Sequence, residues 1–169
     1  MSKRGWFPVL FLGFFLIAFP GCGNSDTPGG KEKSGKMSPE SLGKAVADIY
    51  IQTITRAGRL MEPGKEVGVL KPELEKLRKE AVTELVKLGR IRETLNPADR
   101  KKPDGFISRG ISAIPRDIYD SYNKGYQYYA ALDRETGNLI AGFNIITQYA
   151  IFELLKKQNP GEAQRLGIE

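Results

Sequence analysis

The feature that most constrains this fold is a stripe of apolar residues repeated at three- and four-residue steps. The cleanest stripe follows Pro72 and is made of Leu74, Leu77, Ala81, Leu85, Leu88, Ile91 and Leu95. The opposite side of the same segment carries Glu and Lys at spacings that allow ion pairs along a helix surface. No window alternates apolar and polar residues with the period of two that is typical of a strand. The sequence therefore predicts an all-α domain.

Start and stop signals divide this domain into a small bundle of about four to five helices. Ser38-Pro39-Glu40 supplies an N-cap, a proline at the first helical position and an early acid, and the pattern after it ends near residue 62. Pro72 opens the second helix. Asn96-Pro97-Ala98-Asp99 repeats the start signal before a short third helix.

The C-terminal third of the chain predicts two further long helices. One begins at Pro115 and ends near Leu132, and residues 133–138 (DRETGN) are predicted to form a turn or kink. The last long helix is expected over about residues 138–157. Because apolar residues surround most of its circumference, it is expected to be central in the bundle.

The first 21 residues have the character of an export signal. Lys3 and Arg4 precede an almost wholly apolar stretch from Trp6 to Phe19. A basic start, an apolar stretch of about 7–15 residues and small residues at the end are typical of a secretory signal peptide, whereas a membrane-spanning helix needs about 20 apolar residues. We therefore predict a signal peptide over residues 1–21, with an uncleaved membrane anchor as the alternative.

The only cysteine of the chain follows this segment directly. Gly21-Cys22 resembles the lipobox of bacterial lipoproteins, in which the Cys sulfur receives a diacylglycerol and the Cys becomes the new N-terminus. Phe19 and Pro20 depart from the familiar pattern, which has Leu three residues before the Cys and a small residue two before. The resemblance covers residues 1–23 and implies lipidation at Cys22 and attachment to a membrane through the N-terminal lipid.

The resemblance also implies a location and a domain order. Gly23 stands where an Asp would resemble an inner-membrane retention signal, so the expected location is the outer membrane of a bacterial envelope, facing the periplasm. Residues 22–37 are rich in Gly, Ser and Lys and are predicted to be a disordered linker. Residues 38–169 are predicted to form one helical domain, which is large enough to bury a core without disulfides.

Charge and composition exclude several classes of function. The sequence has 26 basic and 20 acidic residues, and loss of Lys3 and Arg4 with the signal peptide leaves a net charge of +4. This excess is too small to predict nucleic-acid binding. A single Cys and no His exclude a Cys/His zinc site. The glycine patterns that bind dinucleotides or phosphates do not occur, so we expect neither a metal nor a cofactor.

Two groups of residues are candidates for a binding site. Tyr119, Tyr122, Tyr126 and Tyr129 recur at steps of three, four and three, and therefore lie along one face of a helix. This face is predicted either to pack in the core, with hydroxyls at its rim, or to bind a ligand or partner.

The second group lies in the last predicted helix. Asn144, Thr147 and Gln148 interrupt its apolar residues. If they are internal, their polar groups need hydrogen-bond partners, because an unmet buried group costs about 1–3 kcal/mol. They predict either a buried polar network or the polar floor of a ligand pocket.

No catalytic set is recognisable. The carboxylates are scattered, and no pair is marked out for general acid–base chemistry, which needs two groups in one pocket. The leading hypothesis is a non-catalytic envelope lipoprotein that acts through contacts with another envelope protein or has a structural role. The alternative is a module that binds a peptidoglycan fragment or an apolar ligand on the tyrosine face.

Overall fold

The computed structural model describes residues 37–168, so the predicted signal peptide, Cys22 and residues 22–36 of the linker lie outside the described residues. The described part is all-α, which confirms the predicted fold class. In chain order it contains α1 (Pro39–Leu60), α2 (Val67–Glu93), α3 (Lys102–Ser112), α4 (Arg116–Leu132), α5 (Arg134–Ala141), a 3₁₀ segment (Gly142–Ala150), α6 (Phe152–Gln158) and α7 (Pro160–Arg165). Short C-terminal elements raise the number of helices above the four to five expected.

Helix α1 begins where the sequence predicts. The Ser38 side chain accepts a hydrogen bond from the Ser41 backbone N–H at 3.1 Å, and Pro39 occupies the first turn, where its missing N–H is not needed. The face that packs into the bundle recurs at three- and four-residue steps and is buried: Leu42, Val46, Tyr50, Ile54, Ala57 and Met61.

Helix α2 begins earlier than predicted. It begins at Val67, so Pro72 lies inside the helix instead of opening it. A proline there removes only the hydrogen bond to the carbonyl of Gly68, which is exposed to water. The predicted apolar stripe lies in the core through Leu74, Leu77, Ala81 and Leu85, whereas Leu88, Ile91 and Leu95 are half-buried.

Helix α3 starts later than its predicted signal. Residues 97–101 form turns, and the helix begins at Lys102, with Pro103 in its first turn. A partly buried ion pair connects this helix to the end of α2. Arg92 Nη1 and Nη2 donate to the two carboxylate oxygens of Asp104 at 2.5 and 3.3 Å, and the Arg92 side chain is only 4% exposed.

The prediction of one long helix over residues 138–157 is wrong. The turn or kink predicted at 133–138 is present as a break at Asp133 (φ −147°, ψ 118°), after which the chain is helical again from Arg134. Asp133 caps α5 by accepting a hydrogen bond from the Thr136 N–H at 2.7 Å. The chain then tightens into the 3₁₀ segment and breaks at Ile151, whose backbone leaves the helical region (φ −126°, ψ 81°). After Asn159 the chain forms the short helix α7.

The core lies where α1, α2, α4 and the 3₁₀ segment meet. Its largest fully buried side chains are aromatic: Tyr122, Tyr129, Tyr149 and Phe143. The 3₁₀ segment is therefore central, as expected for this part of the chain. Among the helices of residues 37–168, none is both long and apolar enough to cross a membrane.

Candidate functional site

The four predicted tyrosines of α4 lie in three different environments. Tyr122 and Tyr129 are fully buried, Tyr126 is half-buried, and Tyr119 is 43% exposed. The Tyr122 hydroxyl donates to the Ile140 carbonyl at 2.6 Å. These positions match the core alternative for the two buried rings, because each phenol has its ring in the core and its hydroxyl on a backbone oxygen.

Tyr129 connects α4 to the loop between α1 and α2. Its hydroxyl lies 2.8 Å from the Glu62 carbonyl and 3.1 Å from the Lys65 carbonyl. Burial raises the pKa of both Tyr122 and Tyr129, because the charged phenolate loses its hydration there. A ligand on the predicted tyrosine face therefore reaches Tyr119 and part of Tyr126, but not the two buried rings.

The predicted polar group of Asn144, Thr147 and Gln148 also divides between environments. Asn144 is exposed, Thr147 is half-buried, and Gln148 is buried with no hydrogen-bond partner at Oε1. The cause is the 3₁₀ geometry. With three residues per turn, residues 144 and 147 share a face, but residue 148 lies about 120° away.

A concave surface with a volume of about 530 Å³ lies on a second face of α2. Residues of α2 line it at the steps of one helical face: Glu75, Arg78, Lys79, Val82, Thr83, Val86, Lys87 and Arg90. The opposite wall is formed by Leu139 of α5 and by Glu162, Arg165 and Leu166 of the α7 region. We call this surface the α2 groove.

The α2 groove combines an apolar lining with an excess of positive charge. Val82, Val86, Leu139 and Leu166 are buried or half-buried, so apolar surface lies along the groove. Five of the lining residues are Lys or Arg, and two are Glu. The combination is suited to a molecule that has both apolar and anionic parts.

One wall of the groove is organised by hydrogen bonds around Tyr149. Arg78 Nη2 donates to the Tyr149 hydroxyl at 2.6 Å, and this hydroxyl lies 3.1 Å from Glu162 Oε1. Arg165 donates to both carboxylate oxygens of Glu162 at 2.7 and 2.8 Å. The two walls of the groove are therefore connected through charged groups that are held in place.

The electrostatics of this cluster follow from its contacts. The hydrogen bonds from Arg165 lower the pKa of the Glu162 carboxyl, so this residue carries its negative charge at neutral pH. Burial raises the pKa of the Tyr149 phenol, which stays neutral and can both accept from Arg78 and donate to Glu162.

Two cations of the groove form no ion pair within residues 37–168, although Glu75 lies one turn before Lys79 on the same face of α2. Lys87 pairs with Glu84 at 2.7 Å, and Arg78 lies 4.0 Å from Glu162. Lys79 and Arg90, in contrast, form no ion pair or hydrogen bond through their side chains within residues 37–168. They lie near opposite ends of the groove and are exposed.

The sequence contains a partial signal for this site. Val82 and Val86 are one turn apart on a face of α2 that otherwise carries charges, and this spacing is visible without a structure. The opposite wall has no such signal, because Glu162 and Arg165 reach α2 only through the chain breaks at Ile151 and Asn159.

Within residues 37–168, no group of three or more acidic, His or Cys residues is placed to hold a metal ion. The chain matches no protein-family model, no curated protein and no solved structure. The α2 groove is therefore the feature from which a function has to be inferred.

Proposed function

We propose that this chain is a non-catalytic lipoprotein of the bacterial cell envelope, anchored through lipid on Cys22, whose helical domain works by binding. The anchor is supported by the apolar N-terminal segment and the resemblance of Gly21-Cys22 to a lipobox. Two or more acyl chains hold a folded domain stably at a bilayer. The outer membrane, facing the periplasm, is the proposed location.

The observation that carries the binding function is the α2 groove. Its volume of about 530 Å³ lies within the range of roughly 300–1,000 Å³ that is usual for small-molecule sites. Such sites combine mainly apolar walls with a few fixed polar groups, which is the composition found here. This composition supports a ligand-binding module, and we propose its site on α2 instead of on the tyrosine face.

A second candidate function is contact with another envelope protein. It is favoured by Tyr128 and Leu132, which lie one turn apart on α4 and are 42% and 58% exposed. Tyrosine is enriched in protein interfaces because it has an apolar ring and a polar tip. This small surface is separate from the residues that line the α2 groove.

The anchor is tested by labelling with palmitate in a bacterium that expresses the full chain. We expect the Cys22→Ala variant to lose the label and to leave the membrane fraction, while Ser34→Ala, a change in the same linker, behaves as the parent chain. Unchanged membrane retention without the cysteine would contradict the anchor.

The two binding candidates are separated by a photoreactive amino acid placed at single positions of the full chain in intact cells. We expect position 86 in the groove to yield an adduct of small mass, detected by mass spectrometry of the purified protein. A protein-sized adduct from position 128 supports the second candidate. Exposed position 101 is the control, and adducts from neither test position would contradict a binding function.

A further inference from the structure

We infer that the α2 groove binds an anionic amphiphile with a single hydrocarbon chain, whose head group lies between Arg78 and Lys79 on one wall and Arg165 on the other. This inference rests on the proposed binding function of the groove. It does not depend on the lipid anchor at Cys22.

The length of the groove is suited to one extended chain. The lining residues of α2 span Glu75 to Arg90, which corresponds to about 22 Å at a rise of 1.5 Å per residue. The cavity volume of about 530 Å³ lies along this length, so a ligand that fills the groove is elongated along α2.

The apolar residues mark the path of the hydrocarbon chain. Val82 and Val86 lie one turn apart in the middle of the α2 wall, and Leu166 lies on the opposite wall. Val86 and Leu166 are only half-buried, so a bound chain covers apolar surface that the protein itself leaves accessible. Removing this surface from water favours binding by about 25 cal/mol per Å².

The position of the head group follows from the charges. Arg78 and Arg165 are held by Tyr149 and Glu162, so their guanidinium groups are oriented before a ligand arrives. Lys79, the next residue on α2, has no ion pair within the described residues. The head-group end of the groove contains three cations, Arg78, Lys79 and Arg165, and two acids, Glu75 and Glu162, so it keeps a net positive charge. Oriented donors beside such an excess are suited to a carboxylate or a phosphate.

The opposite end of the groove is less suited to the head group. Arg90 is also without an ion pair in the described part of the chain, but its neighbour Lys87 is paired with Glu84 on the same helix. No residue of the α7 region supplies a cation there: Arg165 is the only basic side chain of the far wall among the described lining residues. Arg90 therefore provides a matched control for Lys79.

The test uses the full chain in phosphatidylcholine nanodiscs with a probe of dodecyl phosphate that carries a diazirine near the end of its chain. We expect saturable labelling of peptides that contain Val82, Val86 or Leu166. Loss of one exposed ion-pair partner weakens half-saturation by up to about fivefold. We therefore expect an effect of roughly two- to fivefold for Lys79→Gln and of less than about twofold for Arg90→Gln. Far-ultraviolet circular dichroism checks that both variants are folded.

Further arms define the ligand. A diazirine analogue of dodecanoate tests the carboxylate head group. Stronger labelling by dodecanoate identifies the source as a fatty acid, and stronger labelling by dodecyl phosphate identifies it as a single-chain phospholipid; both are within the inference. The uncharged dodecanol analogue should label the groove at least fivefold less.

Three results of the labelling experiment would overturn the inference: equal labelling by dodecanol, labelling outside the groove, or an effect of Lys79→Gln that is no larger than that of Arg90→Gln. A protein adduct at position 86 in cells would also overturn it, but would leave the proposed binding function intact.

Discussion

Buried phenols connect separate parts of this helical domain at the level of single residues. Tyr122 joins α4 to the end of α5, and Tyr129 joins α4 to the loop after α1, each through a hydroxyl on a backbone carbonyl. A buried hydroxyl needs an acceptor, and each of these hydrogen bonds adds about 1 kcal/mol to the stability that the buried ring supplies. Two of the four tyrosines that the sequence offers as a binding face, Tyr122 and Tyr129, thus serve as connections inside the fold.

The hydroxyl of Tyr122 gives the first prediction. We expect Tyr122→Phe to lower the free energy of unfolding by about 1 kcal/mol, because the 2.6 Å hydrogen bond to Ile140 is lost while the ring remains. The measurement is urea unfolding followed by circular dichroism. Tyr119→Phe, which changes a ring that is 43% exposed, should stay within about 0.5 kcal/mol of the parent chain. Equal effects of the two changes would contradict this role of Tyr122.

The ion pair between Arg92 and Asp104 gives a second prediction at the same scale. Asp104→Asn leaves a guanidinium that is only 4% exposed without a counter-charge. Removing one partner of a buried pair costs about 3–5 kcal/mol, and we expect the lower end because the Asp104 side chain is 44% exposed. Urea unfolding measures the change.

A second substitution tests the cause of this loss. Arg92→Met in the Asp104→Asn background should restore at least half of the lost stability, because the apolar side chain removes the unpaired charge. Glu84→Gln, in an exposed pair with Lys87, should have little effect. A double variant as unstable as Asp104→Asn alone would show that the charge is not the cause.

At the scale of the elements, glycines set how closely the helices approach. Gly125 of α4 lies against Met61, where an added Cβ would be 2.5 Å from the Met61 Cβ, so this mid-helix glycine serves a close approach and not a kink. Gly89 of α2 lies against the ring of Phe152, which is only 7% exposed. These contacts override the preference of an isolated helix for alanine.

The contact at Gly89 gives a third prediction. Gly89→Ala would place its Cβ 2.6 Å from Phe152 Cζ, and overpacking of this kind costs about 1–3 kcal/mol. Gly105→Ala is the matched control, because its Cβ would meet only Arg109 Nη1 at 3.7 Å. The control should be stabilised by up to about 1 kcal/mol through helix propensity, so thermal unfolding of the two variants should shift in opposite directions. A stabilised Gly89→Ala variant would show that α2 and α6 are free to separate.

The elements also show what the sequence can and cannot predict. The start of α1 and the core stripe of α2 depend on local signals, and both are confirmed. The division of residues 138–157 has no clear local signal, since Phe143 and Ile146 fit both helix types. In the 3₁₀ segment the buried residues Phe143, Ile146 and Tyr149 recur at steps of three, and Tyr149 is the only one of them that does not also fit an α-helix.

The α2 groove needed the tertiary structure for a related reason. Its α2 face follows from helical spacing, but its far wall depends on the chain breaks that turn α7 back towards α2. Spacing along a sequence specifies which residues share a helix face, and it does not specify which distant segment covers that face.

At the scale of the whole molecule, the folding stability is expected to depend on pH mainly in the acid and the alkaline range. The sequence contains no His, which is the side chain whose ordinary pKa lies near neutral pH. No histidine therefore makes the stability depend on pH in the neutral range. On the acid side, hydrogen bonds from Lys44 and Arg165 lower the pKa of Glu40 and Glu162. A lowered carboxyl pKa gives stability that is present above the unfolded pKa and is lost as the pH falls through the folded one.

The alkaline side gives the last prediction. Burial raises the pKa of Tyr50, Tyr122, Tyr129 and Tyr149 above the usual value of about 10. Each phenol therefore releases its proton more readily in the unfolded chain, so the stability it supports is complete below about pH 10 and is lost as the pH rises further. Above about pH 10, Tyr122 is ionised in the unfolded chain and still protonated in the folded one. In this range Tyr122 alone lowers the free energy of unfolding by about 1.4 kcal/mol per pH unit.

This alkaline loss is measured by urea unfolding at a series of pH values, with phenolate absorbance recorded in the native state. Below about pH 9 the parent chain and Tyr122→Phe should differ by a constant amount, because the phenols are protonated in both states. Above pH 10 the curve of the parent chain should fall more steeply by about 1.4 kcal/mol per pH unit, so that the two curves converge. Parallel curves throughout, or full phenolate absorbance near pH 10 with the helical signal intact, would show that the tyrosine hydroxyls are accessible to solvent and that the core does not hold them as the structure indicates.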